Sequence, residues 1–235
     1  MKNIVCFFLV CNIFISLAGQ RNSDYGIFGG VSSYFGDINP SRIFYSPRPA
    51  AGIFYRYNLN LRQALRASLF YGGIRGNDLD FNNDFQQARK DWFRSSIGEL
   101  TGQFEFNFFK YSTMGKQWEF SPYLAAGVGA IYLATTTGNG NTGTSISSSS
   151  FQPVLPFSVG FKINIYKNLG LEAEYGFRKT FYDNFDGVKN KDFAKSTAIH
   201  NNDWYTFTGL ALTWKIYSKL AGCPAFSDVD SKRKR

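Results

Sequence analysis

One histidine, two methionines and three cysteines are spread over 235 residues, and each scarcity removes a class of chemistry. Cys6 and Cys11 fall in an N-terminal segment expected to be cleaved, which leaves Cys223 alone and excludes an internal disulfide scaffold. The single histidine, His200, stands in AIHNND with no serine beside it, so no Ser–His hydrolytic pair can be read there. One histidine and one distant cysteine do not make a zinc site either. Long apolar runs are also missing: beyond the N-terminus nothing approaches the roughly 20 residues that a membrane helix needs. No cofactor and no catalytic residue is therefore expected.

The N-terminus carries an export signal. Lys2 precedes an apolar run from Ile4 to Leu17, and the small residues of SLAGQ follow. This predicts a signal peptide over residues 1–19, cleaved near Gly19–Gln20. Gln20 stands where a lipoprotein would carry its lipidated cysteine. Residues 20–217 then form one domain and 218–235 a C-terminal tail. The formal charge of +9 becomes +8 without Lys2. Four of those charges are Lys232, Arg233, Lys234 and Arg235, and the others are dispersed, so nucleic acid is not an expected partner.

What is abundant is aromatic residues, at 18%, and 23 glycines, with a mean hydropathy of only −0.23. The stretch NLGLEAEYGFRKT shows how these fit together. Leu169, Leu171, Ala173, Tyr175 and Phe177 alternate with Glu172, Glu174, Arg178 and Thr180, the period of a strand whose two faces meet different surroundings. The same alternation recurs in GIFYRYNLN, ALRASLFYG, ELTGQFEFNFF, FSVGFKINI and GLALTWKI. Tyr25–Phe35 and Pro122–Leu133 read as further strands rich in Gly and Ala.

Eight strands near the 9–11 residues of a tilted membrane strand predict an all-β fold. The expected form is an eight-stranded antiparallel transmembrane β-barrel with short periplasmic turns and long extracellular loops. The connections support this choice over a soluble sandwich. Tight turns are expected around Asn58–Leu61 and Tyr166–Asn168, and a modest one at KYSTMGKQ. Long loops are expected at DINPSRIFYSPR, GNDLDFNNDFQQARKD, TTTGNGNTGTSISSSS and Phe181–Asp203. Apolar residues then face lipid, and the inward set is Arg56, Arg66, Glu99, Glu105, Lys162, Glu172, Glu174, Arg178 and Lys215. An eight-stranded interior is just wide enough for side chains to fill, so these charges should pair into a plug rather than line a channel.

Two other features are weaker. Asp78, Asp80, Asn82 and Asp84 imitate calcium-loop spacing, yet Asn83 replaces the required Gly and Arg89 the required Glu, so solvated loop acids are expected. Cys223, with both termini on the short-turn side, falls in the oxidising periplasm, where an intermolecular disulfide is possible. The tail containing Cys223 and the basic run 232–235 is the natural docking segment.

The segments GVSSYFGDINP, PAAGIFYRYNLNLRQALRASLFYGGIRGND, ELTGQFEFNFFKY, FSPYLAAGVGA, LPFSVGFKINIYKNLGLEAEYGFRKTFYDNFDGV and NNDWYTFTGLALTW follow one another over Tyr25 to Ile216. In order and spacing they resemble the PorG-type outer-membrane β-barrel of the Bacteroidota type IX secretion system. The resemblance implies a non-enzymatic protein in the cell outer membrane, with both termini periplasmic. Its partners would be outer-membrane lipid and the periplasmic ring proteins PorK and PorN. Rival readings are a surface adhesion or ligand-binding barrel, a lipid-modifying barrel enzyme and a narrow porin.

Overall fold

The computed structural model describes residues 23–35, 39, 42, 44–82, 84–113, 116–140, 143–181 and 204–215. Eight antiparallel strands form a closed barrel: β1 (Ser23–Phe35), β2 (Arg48–Asn58), β3 (Gln63–Asn77), β4 (Asp91–Asn107), β5 (Phe120–Asn139), β6 (Ser145–Tyr166), β7 (Leu169–Thr180) and β8 (Trp204–Lys215). Each strand pairs with its neighbours in sequence, and β1 closes on β8 from Asp24↔Lys215 to Phe35↔Trp204. Closure leaves no sheet edge within the barrel, the condition for strands to cross a bilayer that offers backbone groups no water.

Alternation sorts the side chains as the sequence predicts. Ile27, Ile53, Leu65, Leu69, Leu100, Phe104, Leu210 and Leu212 are exposed on the outer wall. Arg56, Arg66, Glu99, Glu105 and Arg178 are buried within. A soluble protein would need the opposite arrangement; here the apolar face is the one turned to lipid. Trp214 and Trp204 mark the two rims of this belt on β8. The stretch from one to the other covers about 25 Å at ~3.3 Å per residue and a ~40° tilt, the usual height of a barrel's apolar band.

The connections depart from the expected pattern in one respect. The Gly/Ser/Thr-rich segment read as a long loop is mostly strand: β5 continues to Asn139, β6 starts at Ser145, and Gly138↔Ser145 closes the hairpin. Similarly, β4 begins at Asp91, well before the Glu99 at which its alternation becomes legible. Threonine and serine carry no apolar signal, yet Thr suits strands and Ser tolerates them, so β5 and β6 run well past the visible alternation. β4 flanks β5 to its last residue (Asp91↔Asn139), while β6 continues beyond its last pair with β7 (Val154↔Thr180). The connection after β3 is partly ordered, with a 3-10 turn at Asp78–Asp80 and a short helix α1 at Asp84–Arg89. Long connections join β1 to β2 and β7 to β8, and the tightest turns, at 59–62 and 167–168, lie at the opposite end. Ser23 and Lys215 start and finish the barrel at that short-turn end.

Inward glycines give the interior aromatics their space. A Cβ placed on Gly52 would lie 2.4 Å from Phe70 Cδ1 and 3.0 Å from the Leu69 carbonyl oxygen. The Phe70 ring cannot retreat, because it packs edge-on to Phe28 at 5.1 Å and stacks on Phe207 at 5.2 Å. Outward Gly29 meets nothing within 4 Å. Gly52→Val should therefore cost about 1–3 kcal/mol, the usual penalty for overpacking, while Gly29→Val is tolerated. The urea midpoint of the detergent-solubilised barrel, followed by heat-modifiable gel mobility, measures both.

Candidate functional site

The interior is a stack of ion pairs between aromatic layers. Among the described strand residues, Asp24, Glu99, Glu105, Glu172 and Glu174 are buried acids, and Arg56, Arg66, Lys162, Arg178 and Lys215 are buried bases. The two sets balance in formal charge. Arg56 and Arg66 stand directly opposite each other on β2 and β3, which by itself is a repulsive cross-strand pair. Glu105, from β4, offsets it: Oε2 lies 2.7 Å from Arg56 Nε and Oε1 lies 3.1 Å from Arg66 Nη1. Its Oε2 also accepts from Lys162 Nζ at 2.6 Å. One carboxylate therefore serves three cations.

Two further carboxylates complete the arginines. Arg56 donates from both Nη1 and Nη2 to Glu172, each at 2.6 Å, a bidentate fork that fixes geometry as well as charge. Arg66 forks onto Glu174 at 2.7 and 3.1 Å, and its Nη2 also donates to Gln103 Oε1 at 2.7 Å. The Tyr123 hydroxyl donates to Glu174 at 2.9 Å. Nearer the long-loop end, Arg178 Nε donates to Glu99 at 3.2 Å, and the Tyr205 hydroxyl donates to the same carboxylate. The Arg178 guanidinium sits between the rings of Phe70 and Phe207, at 5.3 and 5.0 Å from their centroids. Lys215 faces Asp24 across the β8–β1 register and takes no part in the cluster.

Both mouths carry loop side chains. At the short-turn end the β4–β5 connection folds inward: Tyr111 and Thr113 are buried, and Asn164 Nδ2 donates to the Ser112 carbonyl at 2.6 Å. This connection, read from the sequence as a modest turn, also fills that mouth. At the other end Tyr45 packs on Phe81 at 5.0 Å and donates from its hydroxyl to Asp80 at 2.6 Å. Burial, reinforced by the Asp80 carboxylate, raises the Tyr45 phenol well above its ordinary pKa. Asp78 Oδ2 accepts from the Asp91 amide at 3.0 Å. Asp78 is thus not the solvated loop acid expected from the sequence: it is fully buried, and both it and Asp80 are engaged by neighbouring hydrogen-bond donors. No cluster of metal-ligating side chains exists among the described residues.

All nine inward charges named from the sequence lie buried in the strands. Eight of them join the ion-pair cluster, and Lys215 stands apart. Four participants were not singled out as site residues from the sequence: Asp24, Gln103, Tyr123 and Tyr205. Asp24 lies 3.8 Å from Arg56 Nη1, just before the point where β1 becomes legible as a strand. Tyr123 lies in a Gly/Ala-rich strand without visible alternation, and Tyr205 precedes the part of β8 whose alternation is plain. The signal peptide, His200, Cys223 and the basic run 232–235 lie outside the described residues.

The arrangement can hold a barrel rigid and shut. Removing one partner of such a pair leaves an uncompensated buried charge, at a cost of about 3–5 kcal/mol. Glu172→Ala and Glu105→Gln should each lower unfolding free energy by that order, whereas Lys215→Met, at a residue outside the ion-pair cluster, should cost less. Equilibrium unfolding in detergent checks the ranking. Reconstituted protein should show little steady conductance in planar bilayers, and Glu172→Ala should leave that reading unchanged.

A family model described as "Domain of unknown function (DUF6089)" matches residues 2–225. No curated protein matches the sequence. Solved structures of similar fold include Ail of Yersinia pestis in complex with the heparin analogue sucrose octasulfate. It shows 14% identity and a TM-score of 0.47 over 84% of this chain and 100% of that one. A major outer membrane protein from Thermus thermophilus shows 15% identity and a TM-score of 0.48 over 83% and 99%. Neisserial surface protein A shows 14% identity and a TM-score of 0.43 over 83% and 97%. These are likenesses of fold alone.

Proposed function

The chain belongs to the DUF6089 family, and we propose that it is a non-enzymatic outer-membrane component of a type IX protein secretion machine. In this reading it anchors or organises the periplasmic PorK–PorN ring. The observation that carries the reading is the filled interior. Among the described residues the lumen is occupied by paired charges and aromatic rings, an arrangement that favours a membrane anchor over a conducting pore. The sequence resemblance over Tyr25 to Ile216 supplies the machine. Both ends of the barrel sit at the short-turn side, so the tail leaves from the face that would meet a periplasmic ring. There the basic run 232–235 would attract an acidic surface, and Cys223 could form a disulfide with a suitably placed partner thiol.

One observation favours a second reading, a surface-binding barrel. The β5–β6 ribbon extends past β7 at the long-loop end and exposes Ile146 and Phe151 at 69% and 73%. A ribbon of that kind could carry an external contact, although serines dominate its tip.

Truncation after Tyr217 should leave a folded barrel in the membrane while releasing the ring proteins and impairing export, read by affinity pull-down from solubilised membrane and by secreted cargo. Cys223→Ser should remove any higher-mass band on non-reducing gels with a milder secretion defect. Normal ring association by the truncated protein would overturn the docking role. Loss of surface binding on shortening the ribbon, with secretion intact, would establish the second reading instead.

A further inference from the structure

The outer wall at the long-loop rim contains a groove that the anchor role leaves unused. It encloses about 490 Å³, within the range of small-ligand sites. Its sides are Phe35, Phe44, Tyr175, Phe177 and Trp204, and its floor is Ser33 and Thr206, paired across β1 and β8. Tyr175, Phe177 and Trp204 belong to the lipid-facing parity, and Trp204 marks the upper edge of the apolar belt. The groove therefore lies where acyl chains give way to headgroups.

Three features set it apart from ordinary belt surface. Phe44 comes from the β1–β2 connection and folds back over the wall, its ring 5.8 Å from Tyr175. Its backbone is left-handed, at φ 61°, a conformation that a bulky L-residue keeps only when its surroundings hold it there. Ser33 points outward yet is only 4% exposed, and its Oγ has no hydrogen-bond partner among the described residues. A buried hydroxyl aimed into an apolar groove leaves a polar demand for a ligand to meet. Finally, two cations border the groove. Arg42 lines it, with its guanidinium 4.7 Å over the Phe81 ring, and Lys179 Nζ stands 5.4 Å over the Trp204 ring.

We propose that this groove binds one anionic phospholipid-type molecule of the surrounding leaflet. An acyl chain lies against the aromatic sides, a polar linkage near the glycerol accepts from Ser33 Oγ, and the phosphate meets Arg42 and Lys179. Basic side chains near the bilayer surface attract anionic lipid, and aromatic rings at headgroup depth suit the boundary between chain and phosphate. The inference requires only that the barrel spans a membrane; it is independent of the export reading.

The test uses Trp204 as reporter. Trp92, Trp118 and Trp214 are replaced by Phe, and the full-length protein is placed in nanodiscs. Quenching by brominated phosphatidylglycerol is compared with quenching by brominated phosphatidylcholine. The expected result is a roughly tenfold preference for the anionic lipid, lost in the Arg42→Gln/Lys179→Gln variant and reduced in Phe44→Ala. Equal quenching by the two lipids, or a preference that survives the double substitution, overturns the proposal. Native mass spectrometry of the unmodified protein from mixed nanodiscs gives a second reading. One phosphatidylglycerol should be retained in preference to phosphatidylcholine; indiscriminate retention, or displacement by inorganic phosphate alone, overturns the proposal.

Discussion

A carboxylate at position 105 holds together two arginines that would otherwise repel each other. Arg56 and Arg66 are cross-strand partners on β2 and β3, and both side chains turn into a space too narrow for bulk water. Glu105 lies 2.7 Å from one and 3.1 Å from the other and takes Lys162 as well. Glu172 and Glu174 then close the outer forks of the two arginines, from a strand on the far side of the lumen. Five strands, β2, β3, β4, β6 and β7, are thereby tied across the barrel axis, independently of the ladders that tie them around its circumference. Such a network is a poor source of net stability compared with an apolar core. The arrangement fixes a single geometry, because each partner left out would strand a buried charge.

The aromatic rings supply the packing that charges cannot. Phe28, Phe70 and Phe207 form a contiguous layer, with Arg178 between Phe70 and Phe207. Phe54 lies beneath both Arg56 and Arg66, at 5.1 and 5.4 Å. Cation–π contact of this kind is strengthened where water is excluded. The rings lie flat enough to reach the guanidinium groups because glycines stand beneath them on the wall; a Cβ at Gly26 would overlap the Phe54 ring at 2.1 Å. The inward glycines and the inward aromatics are therefore linked: large rings and cations share a narrow tube whose wall must thin locally to admit them.

The two ends of the barrel differ in structure. At the short-turn end the chain enters and leaves the barrel, and Tyr111 is tucked into the mouth. The long-loop end carries the ordered contacts of Tyr45, Phe81 and Asp78, the extended β5–β6 ribbon and the aromatic groove at the lipid boundary. An anchor with one face committed to a periplasmic assembly and its rim committed to particular lipids would be held in both position and orientation. The filled lumen is the condition for either role, since a rigid wall presents its outer surface unchanged.

The sequence by itself determined the barrel class, the strand number, the direction of the alternation and the inward charges. A period of two with charges on one face is a local property, and an eight-stranded closure leaves one destination for each parity. It also pointed to a closed lumen, because the width follows from strand number. Only the tertiary structure decided which charges pair. Glu105 and Lys162 lie far apart in the chain, and strand stagger sets who meets whom. The reach of β5 and β6 was hidden by Ser and Thr, whose hydroxyls give no periodic apolar signal. Asp24, Tyr123 and Tyr205 escaped notice for a related reason, since they sit where alternation is interrupted by small or aromatic residues. The rim groove was beyond sequence altogether: it depends on Phe44 crossing from its loop onto β7, a contact that nothing in the local pattern of either segment announces.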